Sequence, residues 1–224
     1  LTAVGAEGHF LQSTGAGAPV FASPPAVTGA FKNLNLSTTG TSAVVVTFDE
    51  LVVENSSTNS YKTLRAGSLA SLRVSSTDTN SLDSGILVVN TWYSVWVIWD
   101  GSNISGLISL SATSPTIPSG YTHKARVGWI KTDGTANKYP LSMRQQGRNV
   151  AYRVAGGSNV PVAVSIAAGV AGSPGAPTWS TVNVLSACVP LTASTISVTL
   201  RTNSATAGVA PTNAYGPSNT STSP

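Results

Sequence analysis

Apolar side chains in this chain recur at every second residue over short runs. No ten-residue stretch repeats them with the period of a helix. Residues 63–77, TLRAGSLASLRVSST, place Leu64, Ala66, Ser68, Ala70, Leu72 and Val74 at even positions and Arg65, Ser71 and Arg73 at odd ones. That is the pattern of a strand with one wet face. Residues 92–100, WYSVWVIWD, carry large side chains at both parities, which suits a strand covered on two sides. Residues 42–54, SAVVVTFDELVVE, hold two β-branched runs around Thr47–Glu50. Segments 104–112, 121–132, 143–154, 160–168, 178–187 and 193–201 follow, each bounded by Gly, Pro, Asn or Asp, and Asp-Gly pairs at 100–101 and 133–134 predict hairpin turns. No repeat at solenoid or propeller periods interrupts the series. The expected fold is all-β, an antiparallel β-sandwich of about eight to ten strands.

The two ends are of a different kind. Residues 1–40 are dominated by Gly, Ala, Pro and Ser, with their few large apolar side chains in isolated pairs. Such a segment cannot bury enough surface to fold alone. It reads as an extended arm that docks on a neighbour through Phe10, Leu11 and Phe21. Residues 202–224 are a similar Ser/Thr/Asn-rich arm or linker, leaving 41–201 for the sandwich. One internal boundary is expected near 135–142, TANKYPLS, between two sheets of one sandwich. The chain opens on Leu1 rather than Met, so residues are expected to precede it in the gene product.

Composition narrows the function. Only 9% of residues are charged, and about a quarter are Ser or Thr. A surface of hydroxyls and small side chains suits a permanent assembly. Twelve basic against eight acidic residues give a net charge of +4, too thinly spread to predict a nucleic-acid partner. No run approaches the roughly 18 apolar residues of a membrane span, so no membrane insertion is expected. Cys188 is alone, which excludes an intrachain disulfide; in NVLSACVP it reads as a buried strand thiol. Four N-x-S/T triplets, at Asn35, Asn55, Asn103 and Asn219, are no more than chance supplies at this Ser/Thr content.

Catalytic arrangements are hard to assemble from these residues. A serine nucleophile needs a base, and only His9, in the arm, and His123 exist. No G-x-S-x-G elbow is present. Two distant histidines and one cysteine offer no zinc spacing, and no Asp-rich loop suggests calcium. GAGAP at 15–19 lacks the strand-to-helix setting and the Gly-Lys pair of a phosphate loop. Glycoside cleavage needs only two carboxyls, and Asp49, Glu50 and Glu54 are the candidates. Strand geometry places Glu50 and Glu54 on one face about 13 Å apart, too far for either usual mechanism, with Asp49 on the other face. The chain is expected to have no catalytic, cofactor or metal site.

The strongest residue-level signal is basic. Lys124, Arg126, Lys131, Lys138, Arg144, Arg148 and Arg153 hold seven of the twelve cations within thirty positions, against the single acid Asp133. Strict alternation over 121–132 puts Lys124, Arg126 and Ile130 on one face around Gly128, and His123, Val127, Trp129 and Lys131 on the other. Cations with the aromatic neighbours Tyr121 and Trp129 suit contact with another subunit, an anionic ligand, or a solvated face that protects a sheet edge.

The segment from NTWYSVWVIWDG through GLISLSATSPTIPSGYTHKARVGWIKTDG resembles a module of tailed-bacteriophage and prophage tail-fibre or virion-appendage proteins. The likeness rests on Asn90 to Tyr93, Leu107 to Ser111, Pro115, and Pro118 to Asp133, including the Y-x-x-x-x-R-V-G-W run. LQSTGAGAPVFASPP is similar to the L-x-S-x-G-A-G-A-P connector of phage tail proteins. Together these cover roughly half the chain, and nothing after about residue 155 contributes. The resemblance implies a non-enzymatic structural protein of a virion, assembled in the bacterial cytoplasm. It would be a tail-fibre or appendage subunit in a homo-oligomer, commonly a trimer, in contact with other virion proteins. A capsid decoration or head-fibre protein is the variant of that reading. A second reading is a host-receptor or glycan-binding module, with Trp92, Trp96, Trp99 and Trp129 as stacking platforms. Trp96 and Trp99 lie on opposite strand faces, so at least one belongs to the core.

Overall fold

The computed structural model describes residues 10–13, 15, 17–22, 26–38, 42–73, 79–152, 189, 190 and 192–197. The chain divides into two compact units, residues 1–163 and 164–224. All twelve described strands lie in the first: β1 (Phe10–Gln12), β2 (Val20–Ala22), β3 (Phe31–Lys32), β4 (Asn35–Thr38), β5 (Ala43–Asn55), β6 (Ser60–Arg73), β7 (Ser81–Leu82), β8 (Trp92–Trp99), β9 (Ile104–Ser109), β10 (His123–Lys131), β11 (Met143–Gln146) and β12 (Asn149–Tyr152). In the second unit residues 193–197 form no strand, and Ala193 N donates to Pro190 O in a turn. The strands expected over 160–168 and 178–187, and Cys188, lie outside the described residues, as does His9.

β5 organises the fold. One side of it pairs along its length with β6, and the other meets β4, then β3, then β10 at the single step Lys124↔Glu54. The ladder runs β12–β11–β4–β5 and continues through that step into β10–β8–β9–β7. The two halves face each other. A Cβ on Gly106 of β9 would lie 3.0 Å from the Leu69 and Leu72 methyls of β6, and one on Gly128 of β10 would lie 3.0 Å from Leu36 of β4. Between them is one core, with Leu36, Val44, Val46, Leu51, Val53 and Leu72 from the first half and Tyr93, Val95, Val97, Ile108 and Ile130 from the second. The fold is therefore all-β, a sandwich as expected. One ladder departs from antiparallel order, since the two-residue β7 runs parallel to β9.

β6 does not keep the strict alternation expected of it. Leu64 is buried, Arg65 and Ala66 both face out, and Gly67 and Leu69 are buried. Its partner changes phase at the same level: Val44, Val46 and Phe48 point inward, then Asp49 and Glu50 both turn away, then Leu51 and Val53 point inward. Ala66 accommodates the step with a φ of 50°. A second irregularity between Val44 and Val46 restores the phase, so Leu72 is again internal. The Arg65–Glu50 bridge at the kink has Arg65 72% exposed, so it contributes little to stability.

The arm is shorter than expected. Phe31 and Lys32 pair with Leu51 and Glu50, and Asn35–Thr38 pair with Val44–Thr47, so this part of 1–40 belongs to the sandwich. β-branched partners on β5 give these residues a ladder that composition alone did not suggest. Segment 143–154 is not one strand but the hairpin β11–β12, turning at Gly147 with a φ of 59°. Nor does 135–142 separate two sheets. It is a local loop pinned by Asp133 N to Tyr139 O, Leu141 N to Lys131 O and a Thr132–Pro140 bridge, and β11–β12 after it return to the β4 side. The Asp100–Gly101 turn is as expected. The Asp100 carboxylate accepts from the amides of Asn103 and Ser102 and from Asn103 Nδ2, which together hold its pKa below the usual carboxylate value.

Candidate interaction surface on the outer face of β8 to β10

A β-bulge decides how the basic residues are displayed. β10 pairs with β8 as Arg126↔Trp96 and then Gly128↔Val95, so Val127 is an extra residue. Val127 and Gly128 both turn toward the core, and the parity of the strand reverses. Ile130 joins the core, while Lys124, Arg126, Trp129 and Lys131 all reach the outer face. Strict alternation had divided these four side chains between two faces; the bulge unites them.

Buried Gln145 on β11 holds the bulge. Its Nε2 donates to Val127 O at 2.7 Å and to Gly147 O at 2.7 Å. A Cβ at 128 would meet the Gln145 amide oxygen, so a larger residue there would have to displace the side chain that holds the bulge. Buried carbonyls released by an irregular strand need a donor, and Gln145 supplies one to the bulge and one to the next hairpin.

Across from β10, β8 presents Trp92, Ser94, Trp96 and Ile98 to the same outer face. Arg126 Cζ lies 5.3 Å from the centre of the Trp129 ring, and Lys131 Nζ lies 5.9 Å from that of Trp92. Both are cation–π distances. The connection 110–121 folds back over the middle of the face. It covers Trp96, whose Nε1 donates to Ser94 Oγ at 2.7 Å, and Ser94 Oγ donates in turn to Ser109 O and Ser111 O. Arg126 Nη1 donates to Ala112 O at 2.6 Å, and the Tyr121 hydroxyl meets Ser105 Oγ at 2.8 Å. Asp83 secures the far side by accepting from Ser109 Oγ and from Thr116 N. β8 is thus covered on both faces, as its composition predicted, by the core within and by this connection without.

Of the residues expected to act together, the structure gathers Lys124, Arg126, Trp129, Lys131 and Tyr121 on or beside this face. Lys131 is only 8% exposed, and Lys124 stands opposite Glu54. Arg144 and Arg148 are elsewhere, exposed on β11 and in the β11–β12 turn, and Arg153 lies outside the described residues. Lys138 sits in the 135–142 loop with a φ of 54°. Leu11 and Phe21 are exposed on the two-stranded β1–β2 hairpin, beside Val20; the side chain of Phe10 lies outside the described residues.

Sequence reasoning left out Lys62, Trp92 as a partner of Lys131, and Gln145. Lys62 Nζ lies 5.5 Å from the centre of Trp99, and His123 packs edge-on against the same ring at 5.1 Å. Thr122 Oγ1 is 2.8 Å from His123 Nδ1, and Ser60 Oγ is 3.4 Å from Nε2. Burial first, and the Lys62 charge second, push the His123 pKa below its ordinary value. At Nδ1 the partner is the Thr122 hydroxyl, where a serine-protease-type triad has a carboxylate. The three carboxyls weighed for glycoside cleavage are engaged separately: Asp49 accepts from Asn33, Glu50 from Arg65 and Glu54 from Thr28. Among the described residues no group of three His, Cys, Asp or Glu stands ready for a metal ion. Comparison with protein-family models, curated proteins and solved structures finds no match for the chain.

Proposed function

We propose that this chain is a structural, non-enzymatic subunit of a bacteriophage virion, a tail-fibre or appendage protein that packs as a homo-oligomer, with a trimer favoured. The phage part of this reading rests on the sequence resemblance. The packing part is supported by exposed apolar side chains: among the described residues β1 and β2 form a two-stranded sheet, on which Leu11, Val20 and Phe21 are exposed. An isolated two-stranded hairpin is marginal in water and gains stability when its apolar side chains are covered. Loop 86–89 adds Ile86, 79% exposed, with Val88 and Val89 beside it in sequence, and exposed apolar runs of this kind mark contact surfaces.

Placement on the head, as a decoration or head-fibre protein, is the variant the same observations allow. Particles purified from a strain that encodes the chain test the proposal. Mass spectrometry is expected to find the chain in intact particles at a fixed copy number. Its absence from particles whose other structural proteins are all recovered would overturn the phage assignment.

A further inference from the structure

We infer that the exposed β1–β2 hairpin of one copy docks on an apolar patch at the start of β8 in a second copy. The contact is head-to-tail, joining two different surfaces of the same chain. It rests on the homo-oligomer reading and names the surfaces that carry it.

The ladders place the patch. β9 ends at Ser109, opposite Ser94, so Leu110 leaves the sheet beside the start of β8. Asp83 N donates to Ile108 O, and the Asp83 carboxylate accepts from Ser109 Oγ, which sets the residues after Asp83 at the same end. Val88 N then donates to the Tyr93 hydroxyl, and Val88 O accepts from Thr132 Oγ1. Ile86, Val88 and Leu110 are therefore gathered at one end of the sheet, and all three are exposed. Neighbouring apolar side chains left open in this way mark a contact site.

The hairpin belongs to the opposite end. Thr28 donates to Glu54, and Gly29 N donates to Val52 O, so the chain enters the sandwich along the last residues of β5. Glu54 is level with Lys124, and Lys124 with Ile98 near the end of β8. From Ile98 back to Trp92 the strand covers about 20 Å. Phe21 stands seven residues before Thr28, at most about 24 Å of extended chain, so the patch of its own chain lies at the limit of its reach. In the folded chain Leu11, Val20 and Phe21 are exposed, and so is the patch. A neighbour stacked end to end brings the two together without any such extension.

Charge selects the occupant. Residues 10–22, 84–91 and 110–121 contain no charged side chain, so joining these surfaces strips water from no ion. Copies that each carry a net charge of +4 repel one another, and contact between them is favoured where both surfaces are neutral. A strongly charged partner would leave its ions facing Leu, Val and Ile. A contact between two different surfaces closes into a ring when its rotation allows, and a trimer is such a ring.

Complementation between two variants of the full chain tests the contact, with mass read by light scattering on a sizing column. One variant, Leu11→Asp with Phe21→Asp, loses the hairpin surface. The other, Ile86→Asp with Leu110→Asp, loses the patch. Each alone is expected to run as one copy, because every contact needs both surfaces. An equal mixture is expected to give two copies and no more, the intact hairpin of one variant seated on the intact patch of the other. Ring closure adds avidity of roughly a hundredfold or more, so the mixture is measured at about a hundredfold higher concentration than the unaltered chain needs. A patch variant that keeps the mass of the unaltered chain overturns the inference and points to hairpins pairing with each other. A mixture that stays at one copy overturns it as well. An unaltered chain that is itself a single copy overturns the homo-oligomer reading, and the inference with it. All four positions are exposed, so both variants are expected to melt as the unaltered chain does, and serine replaces aspartate in any pair that unfolds.

Discussion

Gly67 lies opposite Phe48 in the β5–β6 ladder, and the two make a single packing unit. A Cβ added at Gly67 would sit 2.7 Å from Phe48 Cε1 and closer still to Cζ and Cε2. Carbon atoms prefer about 3.5–4.0 Å, so the ring occupies the space a side chain at 67 would need. Phe48 is buried in the core, and a phenyl ring with two torsions cannot step aside without displacing its neighbours. Overpacking costs about 1–3 kcal/mol, and complete loss of a buried Phe about 3–5 kcal/mol, so Gly67→Ala is expected to cost about 3 kcal/mol. At about 3 °C per kcal/mol, the melting temperature falls by roughly 9 °C. A double-mutant cycle isolates the cause. In a Phe48→Ala background the space is empty, and alanine at 67 should stabilise by about 0.5–1 kcal/mol, as it does in an ordinary strand. Urea unfolding followed by tryptophan fluorescence measures all four proteins. Equal costs of Gly67→Ala in both backgrounds would refute the packing argument.

Other expectations follow from the same geometry. Gln145→Leu removes the donor to Val127 O and Gly147 O and should cost about 1–3 kcal/mol, with hydrogen exchange rising first around residues 126–128. Asp83→Ala should free the 110–121 connection, seen as faster exchange at Thr116 and a red-shifted Trp96 emission, while the core melts as before. His123 has a folded-state pKa below its ordinary 6.5, so the folded protein resists the proton more than the unfolded chain does. The stability this contributes is present above about pH 6.5 and is lost as pH falls through the folded value. Melting temperatures between about pH 7.5 and pH 5 should therefore decline, and His123→Gln should flatten part of that slope; an unchanged slope would remove His123 as its source.

The fold was legible where the side chains obey a simple period. SAVVVTF reads as β5, and WYSVWVIW reads as a strand covered on both sides, because nothing in either run competes with alternation. Legibility failed where the backbone spends a residue outside the pattern. The reversal at Val127 depends on Gln145, eighteen positions away, and local spacing carries no sign of that bond. Gly128 was the one local hint, since glycine inside a strand marks a bulge or a close approach. The kink at Asp49–Glu50 needs Ala66 in a left-handed conformation, which no alanine advertises. For the surface, the density of cations was visible but their division was not: the chain sends Arg144 and Arg148 to β11–β12, on the other side of the ladder from β10. Lys62 was overlooked because its aromatic partner, Trp99, comes from a strand that does not pair with its own.

Assembly is the claim on which the functional reading turns, and the mass of the intact chain in dilute solution tests it most directly. Light scattering on a sizing column is expected to give a multiple of the 22.7 kDa chain, three copies being favoured, with Leu11→Asp and Phe21→Asp together shifting the population toward one copy. A single stable species at 22.7 kDa for the unaltered chain would contradict it.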